Sequence, residues 1–273
     1  DQRKNILVNT NGAIPSLIGV ATPIENSGEV INRGIETALR WNEDIGGFKY
    51  FIGGNFMFAK NEIIEMNEEF QPFDYLRETG NSIGQQFGLQ SLGFFKDQED
   101  IDNSPQQLFS VVRPGDSTPE MYYSFDFGFE MRGLGVNLLF QGIANKTVFL
   151  NTKSVFVPLR GNTTITDFSE NSWTPETANT ATLPRLSLLE NENNYRKNDI
   201  WLAKADYLKL RRFEVYYNFP ENVVSKLKMK NAKIYGRGMN VFSIDSIKET
   251  DPEATGVGYP SLASYHLGVK FEF

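Results

Sequence analysis

Apolar and polar residues alternate at period two through much of this chain, the spacing of extended strands with two unlike faces. The closing decapeptide SYHLGVKFEF is the clearest case. Tyr265, Leu267, Val269, Phe271 and Phe273 fall on one side, with His266, Gly268, Lys270 and Glu272 on the other. A bulky aromatic as the last residue has little reason to exist where termini fray into water, and it suits a strand that faces lipid and closes a membrane barrel. A half-buried terminal strand of a soluble sandwich would alternate in the same way.

Earlier in the chain the same pattern predicts a short strand over Arg3 to Asn9 and a Gly/Pro-rich loop over 11–30. Strands follow over Val30 to Glu43, with Ile35, Thr37, Leu39 and Trp41 on one face, and over Phe48 to Asn61, with Phe48, Tyr50, Ile52, Phe56 and Phe58 on one face. Gly46 and Gly47 form the turn between them, and Gly53 and Gly54 suggest a bend or a close backbone contact. Residues 62–79 read as an acidic loop, and short extended pieces resume around Phe87, Leu89 and Phe94. A hairpin then sets Tyr123, Phe125, Phe127, Phe129 and Met131 against Ser124, Asp126, Gly128 and Glu130. It turns at Arg132 to Gly135 and continues with Val136, Leu138 and Phe140 on one face. Its first arm has about the ~9 to 11 residues that a tilted strand needs to cross a bilayer. Periodicity alone leaves open whether the aromatic face is a core or a lipid face. Short turns alternating with long loops favour an outer-membrane barrel.

Composition changes this picture little but excludes a good deal. Mean hydropathy is -0.37 over 273 residues, and no run approaches the ~20 apolar residues of a helical span. A barrel strand hides its apolar residues at alternate positions, so this does not argue for solubility. Aromatic content of 13%, with 22 Phe and 11 Tyr, suits strands with interfacial aromatic girdles. Cys is absent, which removes disulfides, Cys-ligated metals and a Cys nucleophile, and the single His266 removes a multi-His metal centre. A net charge of -7 argues against nucleic acid. The acidic run 97–102 lacks the glycine and closing Glu of a calcium loop and reads as a solvated loop. No nucleophile, base and orienting group stand at interpretable spacing, so an enzyme is not expected, and no cofactor or metal is implied.

The longest irregular stretch, 151–198, is too long for a compact connection and is a candidate functional loop. It carries Trp173, Arg185, Tyr195 and Arg196, residue types that stack on sugars or pin carboxylates, and these are the candidate contacts to a cargo or a lid.

Several ordered motifs carry a family resemblance. ADYLKLRRFEVYYNFP at 205–220, KIYGRGMNVF at 233–242, DPE at 251–253 and the Gly258-Tyr259-Pro260 before the last strand resemble the C-terminal end of SusC-like (SusC/RagA) TonB-dependent transporters from the outer membrane of Bacteroidetes. ENSGEVINRGIE, GNFMFAKNEI and WTPETANTATLPRLS are also similar to that family and occur in its order, so the resemblance covers nearly the whole chain. It implies an all-β fold: residues 1–273 as the C-terminal part of a transmembrane antiparallel barrel, about ten strands of the 22 that such plugged transporters use. It also implies TonB-dependent uptake of oligosaccharides or peptides under a SusD-like lipoprotein lid, in the outer membrane. The partners would be the TonB complex acting through a plug, the barrel-assembly machinery reading Tyr265, Leu267, Val269, Phe271 and Phe273, and the remaining part of the same barrel. The sequence departs from the family in lacking the plug domain and TonB box, and in running from Arg113-Pro114-Gly115-Asp116 straight into STPEMYYSF where an Asp/Gly-rich insert is usual. The alternatives are a complete small porin-like or structural barrel, in which Phe273 would pair with the first strand, and a soluble β-rich glycan-binding module.

Overall fold

The computed structural model describes residues 1–9, 24–103, 111–112, 115–150, 167–186, 194, 196–247, 250–254 and 259–273. Its strands are β1 (Gln2–Asn9), β2 (Ile24–Ile45), β3 (Phe48–Glu65), β4 (Gly88–Leu89), β5 (Val111–Val112), β6 (Met121–Met131) and β7 (Leu134–Ala144). They continue with β8 (Thr147–Phe149), β9 (Leu202–Lys204), β10 (Tyr207–Asn218), β11 (Asn231–Met239), β12 (Ser243–Asp245) and β13 (Ser264–Glu272). Nine of them form one antiparallel sheet in the order β1-β2-β3-β6-β7-β10-β11-β13, with β12 pairing the upper part of β10. Two small ladders, β4 with β5 and β8 with β9, lie in the loops. No described helix is long and apolar enough to cross a membrane.

Turn chemistry fixes the ends of the sheet. Gly46 and Gly47 have φ of 60 and 85, and Arg132 and Gly133 have φ of 51 and 84, the all-positive geometry of two-residue hairpin turns. The second turn is therefore shorter than the four residues expected, and β7 begins at Leu134. Both tight turns lie at one end, together with the connection 219–230, which carries the short helix α2 (Glu221–Val224). The long connections 66–120, 145–206 and 240–263 all leave from the other end.

Some boundaries differ from expectation. Residues 24–30, read as loop, are strand, because β1 supplies a hydrogen-bonding partner from Asn9↔Ile24 to Arg3↔Val30. The ladder slips around Ile6, where a Cβ on Gly28 would stand 3.1 Å from that of Ile6, so only glycine lets the bulge approach. β3 runs on to Glu65 although its last residues are acidic, because the backbone of Gly80 and Asn81 replaces β6 as the partner of Ile63 at 2.8 Å each. The acidic run after Lys96 forms a helix, α1 (Gln98–Asn103), rather than a loop, with its first turn capped by the Asp97 carboxylate accepting from the Asp100 N–H at 2.8 Å. Gly53 does not bend β3; it makes room for Asp126, whose carboxylate would lie 2.4 Å from an added Cβ.

The two faces of the sheet are unlike over its whole width. Register carries the row Trp41, Ile52, Phe127, Leu138, Phe213 across five strands on one face, and Ile45, Phe48, Met131, Leu134, Tyr217, Ile234, Val269 on the same face nearer the tight turns. Among the described residues these side chains have no layer behind them: Leu39 is 73% exposed, Phe125 39%, Phe271 53% and Phe273 77%. The opposite face carries Arg40, Asp126, Glu130, Glu214, Lys233 and Arg237, joined to one another and to neighbouring amides. Outward positions on β2 from Ile35 to Ile45 are apolar apart from Thr37 and from Glu43 close to the tight turn; beyond Ile35 the outward position is Arg33, opposite Lys60. Those ten steps rise about 33 Å along the strand, which at a membrane-barrel tilt of ~35–45° makes a band of roughly 25 Å, the height of the apolar belt of outer-membrane barrels.

Most of the described hydrophobic core lies in the long-loop layer instead. One cluster packs Leu150, Ala205 and Ile247 with Val148 and Ala203, and another packs Leu183 and Trp201 with Phe149, Leu186 and Ile200. Hydrogen bonds tie the separate loops together, from Leu89 N–H to Lys197 O at 2.8 Å, from Thr147 N–H to Asp116 O at 2.8 Å, and from Ser246 N–H to Asp206 O at 3.3 Å. The described parts of the three long connections thus brace one another into a cap at their end of the sheet.

Candidate functional site

Two features of the sheet can do chemistry with a solute or a partner: its polar face and the braced cap above it. The polar face follows from strand alternation, which sends every second side chain of β2, β3, β6, β7, β10, β11 and β13 to the same side. Arg40 Nη1 donates to Asp126 at 3.0 Å while its guanidinium lies 4.5 Å over the Phe51 ring. Tyr216 Oη and Asn218 Nδ2 donate to Glu130 at 2.8 and 3.1 Å. Glu214 accepts from Lys233 Nζ at 2.7 Å and from Arg237 Nε at 2.8 Å. A hollow of about 530 Å³ near the tight-turn end is lined by Asn42, Lys49, Phe51, Glu130, Asn137 and Tyr216. Such a face suits water and polar solutes.

At the cap, the upper part of β10 grips the connection between β11 and β13. Lys209, 4% exposed, donates to Asp251 at 2.6 Å and to Glu253 at 2.9 Å. Arg211 makes a two-pronged contact with Glu253, and Tyr207 Oη donates to the same carboxylate at 2.8 Å. Asp251 also accepts from the Ser261 N–H at 2.6 Å, so both ends of the loop are held. Burial raises the Asp251 carboxyl, but the Lys209 ammonium and the Glu253 and Ser261 N–H groups hold it well below the usual carboxylate range. Burial likewise opposes the charge on Glu253, and donation from Arg211, Lys209 and Tyr207 overrides it, bringing the group to about 2. The arrangement is a clamp that fixes a loop.

Of the candidate loop residues, Trp173, Arg185 and Arg196 lie in the described part of the structure. The Trp173 backbone N–H donates to Leu183 O at 2.9 Å, and its half-buried indole Nε1 has no acceptor among the described residues. Arg185 and Arg196 are both exposed, and Tyr195 lies outside the described residues. Sequence reasoning missed Trp201, 1% exposed, whose Nε1 donates to Asn194 O at 2.9 Å, and it missed the clamp. The signal for the clamp was present in the Lys209-Leu210-Arg211 and Asp251-Pro252-Glu253 motifs, two cations and two acids in pieces with no other use. On the last strand, Tyr265, Leu267, Val269, Phe271 and Phe273 are all exposed, on the same side as the aromatic face of β6.

No family model matches the chain. In sequence it is similar to TonB-dependent receptor P3 of Formosa agariphila, 23% identical over 314 residues that cover 95% of this chain and 30% of the relative. TonB-dependent receptor P26 of the same organism is 24% identical over 289 residues, covering 93% of this chain and 29% of that protein. In structure the chain superposes over its whole length on part of the RagAB peptide transporter, with a TM-score of 0.74 at 18% identity and 32% of that chain covered. The RagAB peptide importer in its open-open state gives 0.73 at 20% identity. The chain therefore spans about a third of the length of the proteins it matches. It is related in sequence to TonB-dependent receptors and has the fold of part of a SusC/RagA-like transporter barrel, as the resemblance implies.

Proposed function

We propose that this stretch of a TonB-dependent receptor homologue is the C-terminal wall of an outer-membrane nutrient importer that takes up oligosaccharides or peptides. The observation that carries the reading is the pairing of an exposed aromatic face, about as tall as a lipid belt, with an ion-paired face that has no dry core behind it. The long-loop end is extracellular and the tight-turn end periplasmic in this reading, following the usual asymmetry of such barrels. β1 and β13 are each paired on one side only, and open edges are not stable in hydrocarbon, so further strands of the same protein close the ring. A complete small barrel would instead pair β13 with β1, and a soluble module would bury the aromatics.

In the whole protein a plug would fill the lumen and transmit force from TonB, and a SusD-like lipoprotein would sit over the braced cap. Trp173, Arg185, Tyr195 and Arg196 remain the cap residues assigned to cargo or lid contact. Tyr265, Leu267, Val269, Phe271 and Phe273 form the lipid-facing strand read by the assembly machinery. The chain is a transport element rather than an enzyme. The test is uptake of labelled oligosaccharides and peptides by cells carrying the full-length gene, compared with cells lacking it and with cells lacking TonB. The reading expects uptake of one class that is lost in both; uptake that survives loss of TonB indicates a passive pore.

A further inference from the structure

The charges on the polar face are unevenly spread. On β10, β11 and β13 the inward positions hold Arg212, Lys233, Arg237 and Lys270, against Glu214 and, at the strand end, Glu272. This local excess of cations stands in a chain whose net charge is -7. Glu214 is buried and already shared between Lys233 and Arg237. Register then puts Lys270 directly opposite Lys233, two cations face to face, with His266 on the same inward side further along β13. Like charges facing each other across a ladder are destabilising unless an anion sits between or above them. Among the described residues Lys270 has no carboxylate within ion-pair distance, while Lys233 is further occupied by the Tyr216 ring 3.9 Å away. The floor of this strip is flat: Tyr216 folds over Gly135 and Tyr235 over Gly268, where an added Cβ would stand 2.2 and 2.5 Å from the rings.

We propose that the inward face of β10, β11 and β13 is an anion-attracting strip along the solute path, and that the group it receives is a carboxylate or sulfate. That anion arrives either on the cargo, as an acidic peptide or a uronate or sulfated oligosaccharide, or on a side chain of the plug. The inference rests on the reading that this face is wet. Focused positive potential in a low-dielectric channel raises the local concentration of anions and repels cations.

Charged thiol reagents read this potential directly. In the full-length protein, made cysteine-free elsewhere and kept in outer membranes, His266→Cys is treated with a sulfonate and with a trimethylammonium methanethiosulfonate, each rate referenced to a free thiol. The sulfonate is expected to react at least about fivefold faster at low salt, with the preference shrinking in high salt and in the Lys270→Gln background. A preference present in the intact protein, and blocked by an acidic oligosaccharide or peptide, assigns the strip to cargo; one that appears only after deletion of the plug assigns it to a plug carboxylate. Equal rates with and without the plug overturn the proposal. Leu267→Cys keeps the barrel reading separate: if it reacts with both water-soluble reagents while His266→Cys reacts with neither, the face is dry and the barrel reading itself fails.

Discussion

At the scale of single residues, glycine and aromatic positions on the polar face act in pairs. Gly135 has Tyr216 carbons at 2.2 and 2.6 Å from where a Cβ would be, so Gly135→Ala forces the ring away and strains its 2.8 Å hydrogen bond to Glu130. Overpacking of this kind costs about 1–3 kcal/mol. The expected result is a lower unfolding temperature of the full-length protein in detergent, with Tyr216→Ala recovering much of the loss because the two changes share one contact. The clamp makes a second prediction. Glu253 sits at about 2 in the folded protein, below its ordinary 4.5, so its contribution to holding the loop is complete above that ordinary value and is lost as pH falls from it through about 2. Hydrogen exchange of 250–261, corrected for intrinsic rates, should show protection at pH 5 that is lost toward pH 2. Lys209→Met leaves Asp251 and Glu253 short of a buried cation and should release the same segment at neutral pH, a loss of about 3–5 kcal/mol if the pair behaves as other buried pairs do.

At the scale of the strand, alternation was the legible signal, and it held wherever one face is uniformly apolar. β6 and β7 were readable because Phe125, Phe127 and Phe129 alternate with Ser124, Asp126 and Glu130 without a break, and because Arg132-Gly133 can adopt a two-residue turn. Residues 24–30 and the end of β3 were not readable, since their strand character comes from partners distant in sequence, Gln2–Asn9 in one case and Gly80-Asn81 in the other. The placement of the loop candidates was unreadable in a similar way. Trp173 and Arg185 are the right chemical types, but where a loop folds is decided by contacts such as Ser172↔Leu183 that leave no periodic trace. The charges of the clamp stand in the sequence, but their pairing does not, because Lys209 and Glu253 meet only after a long loop closes. The alternation itself predicts a paired result. Leu138→Arg puts a charge on the outward band and should cost about 2–4 kcal/mol in a bilayer, seen as loss of the heat-modifiable, membrane-inserted species, whereas Asn137→Arg on the adjacent inward position should insert normally.

At the scale of the whole molecule, the described chain is a single sheet with two unlike faces, two edges each paired on one side only, and a cap. Its described apolar core lies mostly in the cap, while its largest apolar surface is left in the open, the reverse of a soluble β-sandwich. That inversion is what a bilayer requires and what water would punish. The most direct measurement is solvent accessibility along β6. Nitroxide labels placed singly at 124, 125, 126, 127, 129 and 130 of the full-length protein in bilayers are relaxed by oxygen, which partitions into lipid, and by a water-soluble nickel chelate. Phe125, Phe127 and Phe129 should show high oxygen and low nickel accessibility, with Ser124, Asp126 and Glu130 shielded from oxygen. Aromatic positions closed to both reagents, alongside acidic positions open to nickel, would place the phenylalanines in a dry core and contradict the membrane wall.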